Sequence, residues 1–162
     1  MNVFVRTMTE ADLPAVGILA GRLVRMHHAY DPLRFMEPVD PEQGYARWFK
    51  TQLPRPDVIL LVAEADEDVG VVGYVYARME PRSYDLLLEA CTKLHDIFVD
   101  ERVRRRGVGE ALLQETFARA RREGAPRVVL LTASQNAAAQ RLFQRVGFRA
   151  TMLEMTREIA DE

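Results

Sequence analysis

The chain has 162 residues, 48% of them hydrophobic and 28% charged, with a formal net charge of −2. That length and apolar content suffice for one sizeable core, so a single domain over residues 1–162 is expected. The near-neutral balance argues against a globally basic nucleic-acid binder, and no stretch has the length and apolarity of a membrane span.

"NVFVRTM" alternates apolar and polar residues and predicts a first strand. Thr9, followed by Glu10 and Asp12, supplies a helix start, and Leu13, Val16, Ala20, Leu23 and Val24 recur at helical spacing until about His28. "AYDPLRFMEPVDPEQ", with three prolines, reads as a connection, and "EQGYARWFKTQL" as a short helix stopped by the "PRP" at 54–56. "DVILLVAEA" and "VVGYVYARME" form an antiparallel hairpin across the acidic turn "DEDVG". A helical turn is expected around "DLLLEA", then a strand at "KLHDIFVD". Helix "GVGEALLQETFARARREG", strand "RVVLLTA", helix "NAAAQRLFQRVG" and a last strand "FRATMLEMTRE" complete the order. The fold class is therefore α/β, a mixed, mostly antiparallel sheet with helices on both faces.

Charge at Arg6 and Glu10 precedes any signal-type apolar stretch, and the single cysteine, Cys91, excludes an intramolecular disulfide. Both fit the reducing cytoplasm. No base is identifiable beside Cys91, and nothing else reads as a covalent nucleophile.

The junction "VDERVRRRGVGEALLQE" sets three arginines and two glycines between a strand and a helix. A helix start exposes unpaired N–H groups and the positive end of the peptide dipoles, which suits a phosphate. Gly107 and Gly109 would let backbone approach an anion, and Arg104, Arg105 and Arg106 would add charge around it. Position 112 is leucine, so the three-glycine dinucleotide fingerprint is absent, and no Gly-Lys-Ser/Thr follows. In an arginine-rich chain the same run also reads as a solvated turn.

"RRRGVG" resembles the Arg/Gln-x-x-Gly-x-Gly/Ala signature of the GNAT acetyltransferase superfamily, as Arg104, Gly107 and Gly109. "LHDIFV" resembles that family's central strand and "NAAAQRLFQRVGF" its later helix, so the likeness runs from about Leu94 to Phe148. The resemblance implies acetyl-coenzyme A as co-substrate, without a metal. Backbone amides of Arg104, Arg105, Arg106, Gly107, Val108 and Gly109 would hold the pyrophosphate. Main-chain groups of Ile97, Phe98 and Val99 would run along the pantetheine arm, with Asn136 and Phe143 touching it from the later helix. Asn136 also suits a helix cap, and Phe143 falls on an apolar face with Ala139, Leu142 and Val146.

Acetyl transfer to an amine needs an uncharged amine and a tolerable thiolate leaving group. Alternation sets His95 and Ile97 on one face of the strand, Asp96 and Phe98 on the other. His95 resembles, by position, a carboxylate that serves as base in some relatives, and is the candidate catalytic base or proton relay, with Asp96 its competitor. Many relatives carry tyrosine, a proton donor to the sulfur, where this chain has Phe143. That departure also admits a coenzyme A-binding sensor without turnover.

The segments framing the acceptor side carry Asp31, Glu37, Asp40, Glu42, Glu80, Asp85 and Glu89 against Arg34 and Arg82. This excess favours a cationic small-molecule amine or a protein amino group, or it serves only solubility. His27 and His28 could line the pocket, without a third ligand for a metal. The eight arginines from Arg102 to Arg127 raise a nucleic-acid-binding alternative, but the rest of the chain neutralises them and no nucleic-acid partner is expected. The last strand would lie at a sheet edge, and a homodimer is one way to cover it.

Overall fold

The computed structural model describes residues 2–65 and 70–159, so residues 66–69 of the expected hairpin turn lie outside the described residues. Five strands form one sheet in chain order: β1 (Val3–Thr7), β2 (Val58–Ala65), β3 (Val71–Glu80), β4 (Cys91–Val99) and β5 (Val128–Leu130). Every neighbouring pair is antiparallel except β4 and β5, which are parallel. The mixed, mostly antiparallel sheet is thus observed, with its helices divided between the two faces.

The unbroken apolar run of β2 is explained by burial on both sides. Ile59, Leu61 and Ala63 face one cluster with Val75, Ala77 and Leu94, packed under α3 (Val108–Arg122) and α4 (Ala137–Arg145). Leu60 and Val62 face the other with Tyr74, Tyr76 and Phe98, under α1 (Leu13–Tyr30) and α2 (Pro41–Gln52). Fully burying one such side chain contributes roughly 1.5–3 kcal/mol.

The start of α1 follows the sequence signal. Asp12 accepts the N–H of Thr9 at 2.7 Å and both terminal guanidinium nitrogens of Arg6 at 2.7 and 2.8 Å. These bonds, that of Arg6 foremost, hold the Asp12 carboxyl below its usual range. Further along, a Cβ on Gly17 would lie 2.6 Å from the main-chain oxygen of Glu42, so the approach of α1 to α2 requires glycine there.

Three expectations need correction. "DLLLEA" belongs to a small turn closed by a bridge between Ser83 and Leu88, not to a helical one. The strand expected over 127–133 pairs only at Val128–Leu130, because the chain then leaves the sheet for the turn that caps α4. The last strand does not form. Residues 149–159 take no regular structure and are exposed, and Glu154 pairs with Arg34 of the loop after α1. The sheet edges are therefore β1 and β5, and the edge-pairing argument for a dimer loses its strand.

Gly17→Ala should lower stability by about 1–2 kcal/mol, overpacking outweighing the gain in helix propensity. Gly44→Ala on α2, where a Cβ meets nothing within 4 Å, should raise it by up to about 1 kcal/mol. Denaturant melts of the two variants should show opposite signs.

Candidate active site

β4 meets β3 along its length but meets β5 only at Thr92, Lys93 and Leu94. From residue 95 to residue 99 the edge of β4 that turns towards β5 has no strand on it. Main-chain groups at such an edge seek partners, and an extended, amide-bearing molecule can supply them as an added strand would.

The β3–β4 register slips beside this edge. Asp96 lies opposite Tyr76 and Leu94 opposite Ala77, leaving His95 as the extra residue of a bulge. Strict alternation would separate His95 from Asp96; instead both border, with Ile97, a cavity of about 550 Å3.

His95 stacks on Tyr76 with ring centroids 4.9 Å apart, and its Nε2 lies 3.3 Å from Glu80 Oε1. Glu80 is held ionised below its usual range, chiefly by the guanidinium of Arg78, through bonds of 3.0 and 2.9 Å. A carboxylate there calls for an N–H on Nε2, which leaves the lone pair on Nδ1. Burial pushes the imidazole pKa down, against the pull of Glu80. His95 is therefore neutral near pH 7.

Asp96 behaves in the opposite way. Burial pushes its carboxyl up to about 6, although the hydroxyl of Tyr74 donates to it at 3.3 Å. Tyr74 is fully buried, and burial raises its phenol well above the ordinary value. Tyr45, also on the cavity wall, is pushed up to about 12 by burial and then by the charge of Asp96. Both phenols keep their protons at neutral pH.

The Arg-Gly junction begins at Asp100, which is 2% exposed. Its carboxylate accepts the N–H of Arg102 at 3.0 Å, the guanidinium of Arg102 at 2.7 Å and Nη1 of Arg22, on α1, at 3.1 Å. Arg102 foremost holds this carboxyl far below the usual range. A short 3-10 turn over Glu101–Val103 follows, then Arg105 at φ 62° and Gly107 at φ 83°, a left-handed conformation that glycine adopts without strain.

α3 starts there. Its first helical bond, Ala111 N–H to Gly107 O at 2.9 Å, comes after the N–H groups of Val108, Gly109 and Glu110. Those three precede the helical ladder and can take an anion. Gly109 has a packing task besides, since a Cβ there would lie 2.9 Å from Cδ2 of Leu142 on α4. It serves helix–helix approach. Arg104 also departs from expectation, its Nε donating to Val99 O at 3.2 Å and its guanidinium lying 5.5 Å over the Phe98 ring. Arg105 and Arg106 are exposed on the loop.

On the far wall Asn136 caps α4, its Oδ1 accepting Ala139 N–H at 3.2 Å, while its side also borders the cavity with Phe143. Phe143 is mainly core, packed edge-on to Phe148. Phe98 is buried in the cluster on the opposite face, so its main chain alone belongs to the open edge.

The cavity also holds residues that periodicity did not single out. Leu131 and Thr132 border it where the chain leaves β5, and Phe35 and Met36 from the loop after α1. His27 borders it too, its Nδ1 bound to Leu23 O, whereas His28 is drawn to Phe35 O at 2.8 Å. The expected acidic frame is absent. Glu42 pairs with Arg25, Glu80 with Arg78 and Glu89 with Arg82, while Asp31 and Asp40 cap local turns. Asp96 is the one carboxylate among the described residues that borders the cavity.

The five-stranded mixed sheet, opened between its two parallel strands above a glycine-capped helix start, is shared with solved structures. The structure of a tetramutant of the BH1408 protein from Bacillus halodurans is similar to it at a TM-score of 0.81 and 18% identity, covering 96% of this chain and 99% of that one. The aminoglycoside N-acetyltransferase AAC(6')-Iy in complex with CoA is similar at a TM-score of 0.74 and 18% identity, covering 98% of this chain and 95% of that one. At these identities the likeness establishes the fold. The profile of the acetyltransferase (GNAT) family matches residues 23–148, and the chain belongs to that family. Human N-acetyltransferase 8 is 35% identical over 91 residues, 56% of this chain and 38% of that protein, so the match spans well under half of the relative's length.

An ionised carboxylate at the site of Asp96 is a stability cost that grows between the unfolded and folded pKa values, because the native state binds the proton more tightly. Asp96→Asn should therefore stabilise the fold at pH 8 by up to about 3 kcal/mol, raising the thermal midpoint by roughly 5 °C or more, and change little at pH 4. A pH series of melts reads this directly.

Proposed function

We propose that this protein transfers acetyl from acetyl-coenzyme A to a primary amine by direct attack. One observation carries the reading: the edge of β4 at residues 95–99, unpaired among the described residues, runs from a glycine-capped helix start to the half-buried carboxylate of Asp96. The N–H groups of Val108 and Gly109 would take the pyrophosphate, and the main chain of Ile97 and Val99 the pantetheine amides. Asn136 and Phe143 would wall the arm from α4. That a structural neighbour is a CoA complex supports the donor.

Amine attack requires loss of the ammonium proton. Asp96, ionised above about pH 6, attracts an ammonium ion and can accept its proton. His95, neutral and backed by Glu80, stands one residue away towards solvent and passes the proton on. Cys91 is no rival nucleophile, since burial raises its thiol and it does not border the cavity. Phe143 offers no proton to the departing thiolate, but a thiol of pKa about 8.5 leaves readily, and Tyr45 brings a hydroxyl to the same cavity.

Acetyl-coenzyme A at ~100 times its dissociation constant should stabilise the protein by about 2.7 kcal/mol, and nicotinamide dinucleotide or ATP should not. With a reactive amine, kcat/KM should rise with pH through about 6 as Asp96 ionises. Asp96→Asn should remove that limb and lower kcat/KM by ~100-fold or more, whereas His95→Gln should lower it by ~10-fold and keep the limb. Loss of the limb in His95→Gln would make the imidazole the base. The absence of Phe143's hydroxyl favours a second reading, a coenzyme A sensor; a thermal shift without transfer to any amine would support it.

A further inference from the structure

The acceptor half of the cavity has little charge to offer. Asp96 is the one carboxylate among the described residues on its wall, and the cation at its mouth is Arg34. The remaining wall comes mostly from Leu23, Val24, Phe35, Met36 and Pro38, apolar groups from α1 and the following loop, with His27 and the hydroxyl-bearing Tyr45 as its uncharged polar members. The acidic residues of that loop face elsewhere: Asp31 accepts Leu33 N–H at 3.1 Å, Glu37 lies 3.6 Å from His28, and Asp40 caps α2. Met36 sits at the rim with 84% of its surface exposed, an apolar lip rather than a polar one.

A site with one half-buried carboxylate and a largely apolar wall can neutralise one ammonium group. A second ammonium on the same ligand would meet no further carboxylate on the wall among the described residues, and Glu154, beside the mouth, is already paired with Arg34. We propose that the acceptor is a primary amine with a single cationic centre on an apolar body, an alkyl- or arylalkylamine, and not a polyamine or an aminoglycoside. This rests on the acetyl-transfer reading above. The ammonium goes to Asp96, and the hydrocarbon lies between Val24, Phe35 and Met36. In the reaction the ammonium first gives one proton to Asp96, which hands it on through His95. The amine nitrogen then bonds to the thioester carbonyl carbon, the C–S bond breaks, and the proton shed by the nitrogen as it becomes an amide ends on the departing thiolate, so that the coenzyme leaves as its thiol.

Two amines of nearly equal length isolate the point. n-Hexylamine and 1,5-diaminopentane differ by a terminal methyl in place of a second ammonium, and each is assayed with acetyl-coenzyme A for kcat/KM. The expected preference for n-hexylamine is at least ~30-fold, since hydrocarbon contact is exchanged for an unpaired charge. Met36→Glu, at an exposed position that should not disturb folding, places a second carboxylate at the rim and should shrink that ratio several-fold. A diamine used as well as n-hexylamine, or better, overturns the acceptor class while leaving acetyl transfer standing. Transfer to neither amine, with acetyl-coenzyme A still raising the thermal midpoint, overturns the transfer reading and the acceptor class together.

Discussion

The organisation of this protein depends on the divided pairing of β4. One edge is held by β3 along the strand, and the other is held by β5 for three residues and then released. An open edge in a sheet interior is unstable unless both faces are well supported, and here they are. Leu112, Leu113 and Phe143 pack under one face, Phe49, Tyr74 and Phe98 under the other. The packing holds the strand straight enough to stay open, and the bulge at His95 adds the local twist that turns two ionisable side chains into the gap.

Three aspartates show how environment divides a single residue type. Asp12 and Asp100 are buried against arginines and held ionised far more firmly than in water, so they tie elements together. Asp96 is half-buried, its carboxyl accepts from the Tyr74 phenol rather than from an arginine, and it rises to about 6. The first two serve the fold at neutral pH. The third weakens the fold there, and the same weakness gives it an affinity for a proton near the pH at which an enzyme works.

Much of this was legible in the sequence where local chemistry and tertiary structure agree. The alternation of β1, the Thr9 start of the first helix, the continuous run of β2 and the glycines before α3 each carry their own physical signature, and each element stands where expected. The motif at Arg104 to Gly109 located the loop, yet not its side chains. Arg104 turns back to Val99 and Phe98, and Gly109 makes room for Leu142, because both outcomes depend on partners distant in sequence. The bulge left no trace in the pattern, so His95 and Asp96 were assigned to opposite faces. The acidic loop misled for a related reason: composition counts charges, while their partners, Arg25 and Arg82 among them, are visible only in three dimensions. The last strand failed because alternation in "RATMLEMTRE" can indicate a strand but cannot provide a neighbour to bond it.

The carboxylate of Asp100 joins two parts of the molecule that the chain keeps far apart. Through Arg102 it secures the loop that leads into α3, and through Arg22 it grips α1, whose later turns carry Leu23, Val24 and His27 to the cavity. The carboxylate itself is withdrawn from solvent, while the two guanidinium groups reach it from the surface. The carboxylate thus ties the loop before α3 to the helix that forms the opposite wall of the cavity.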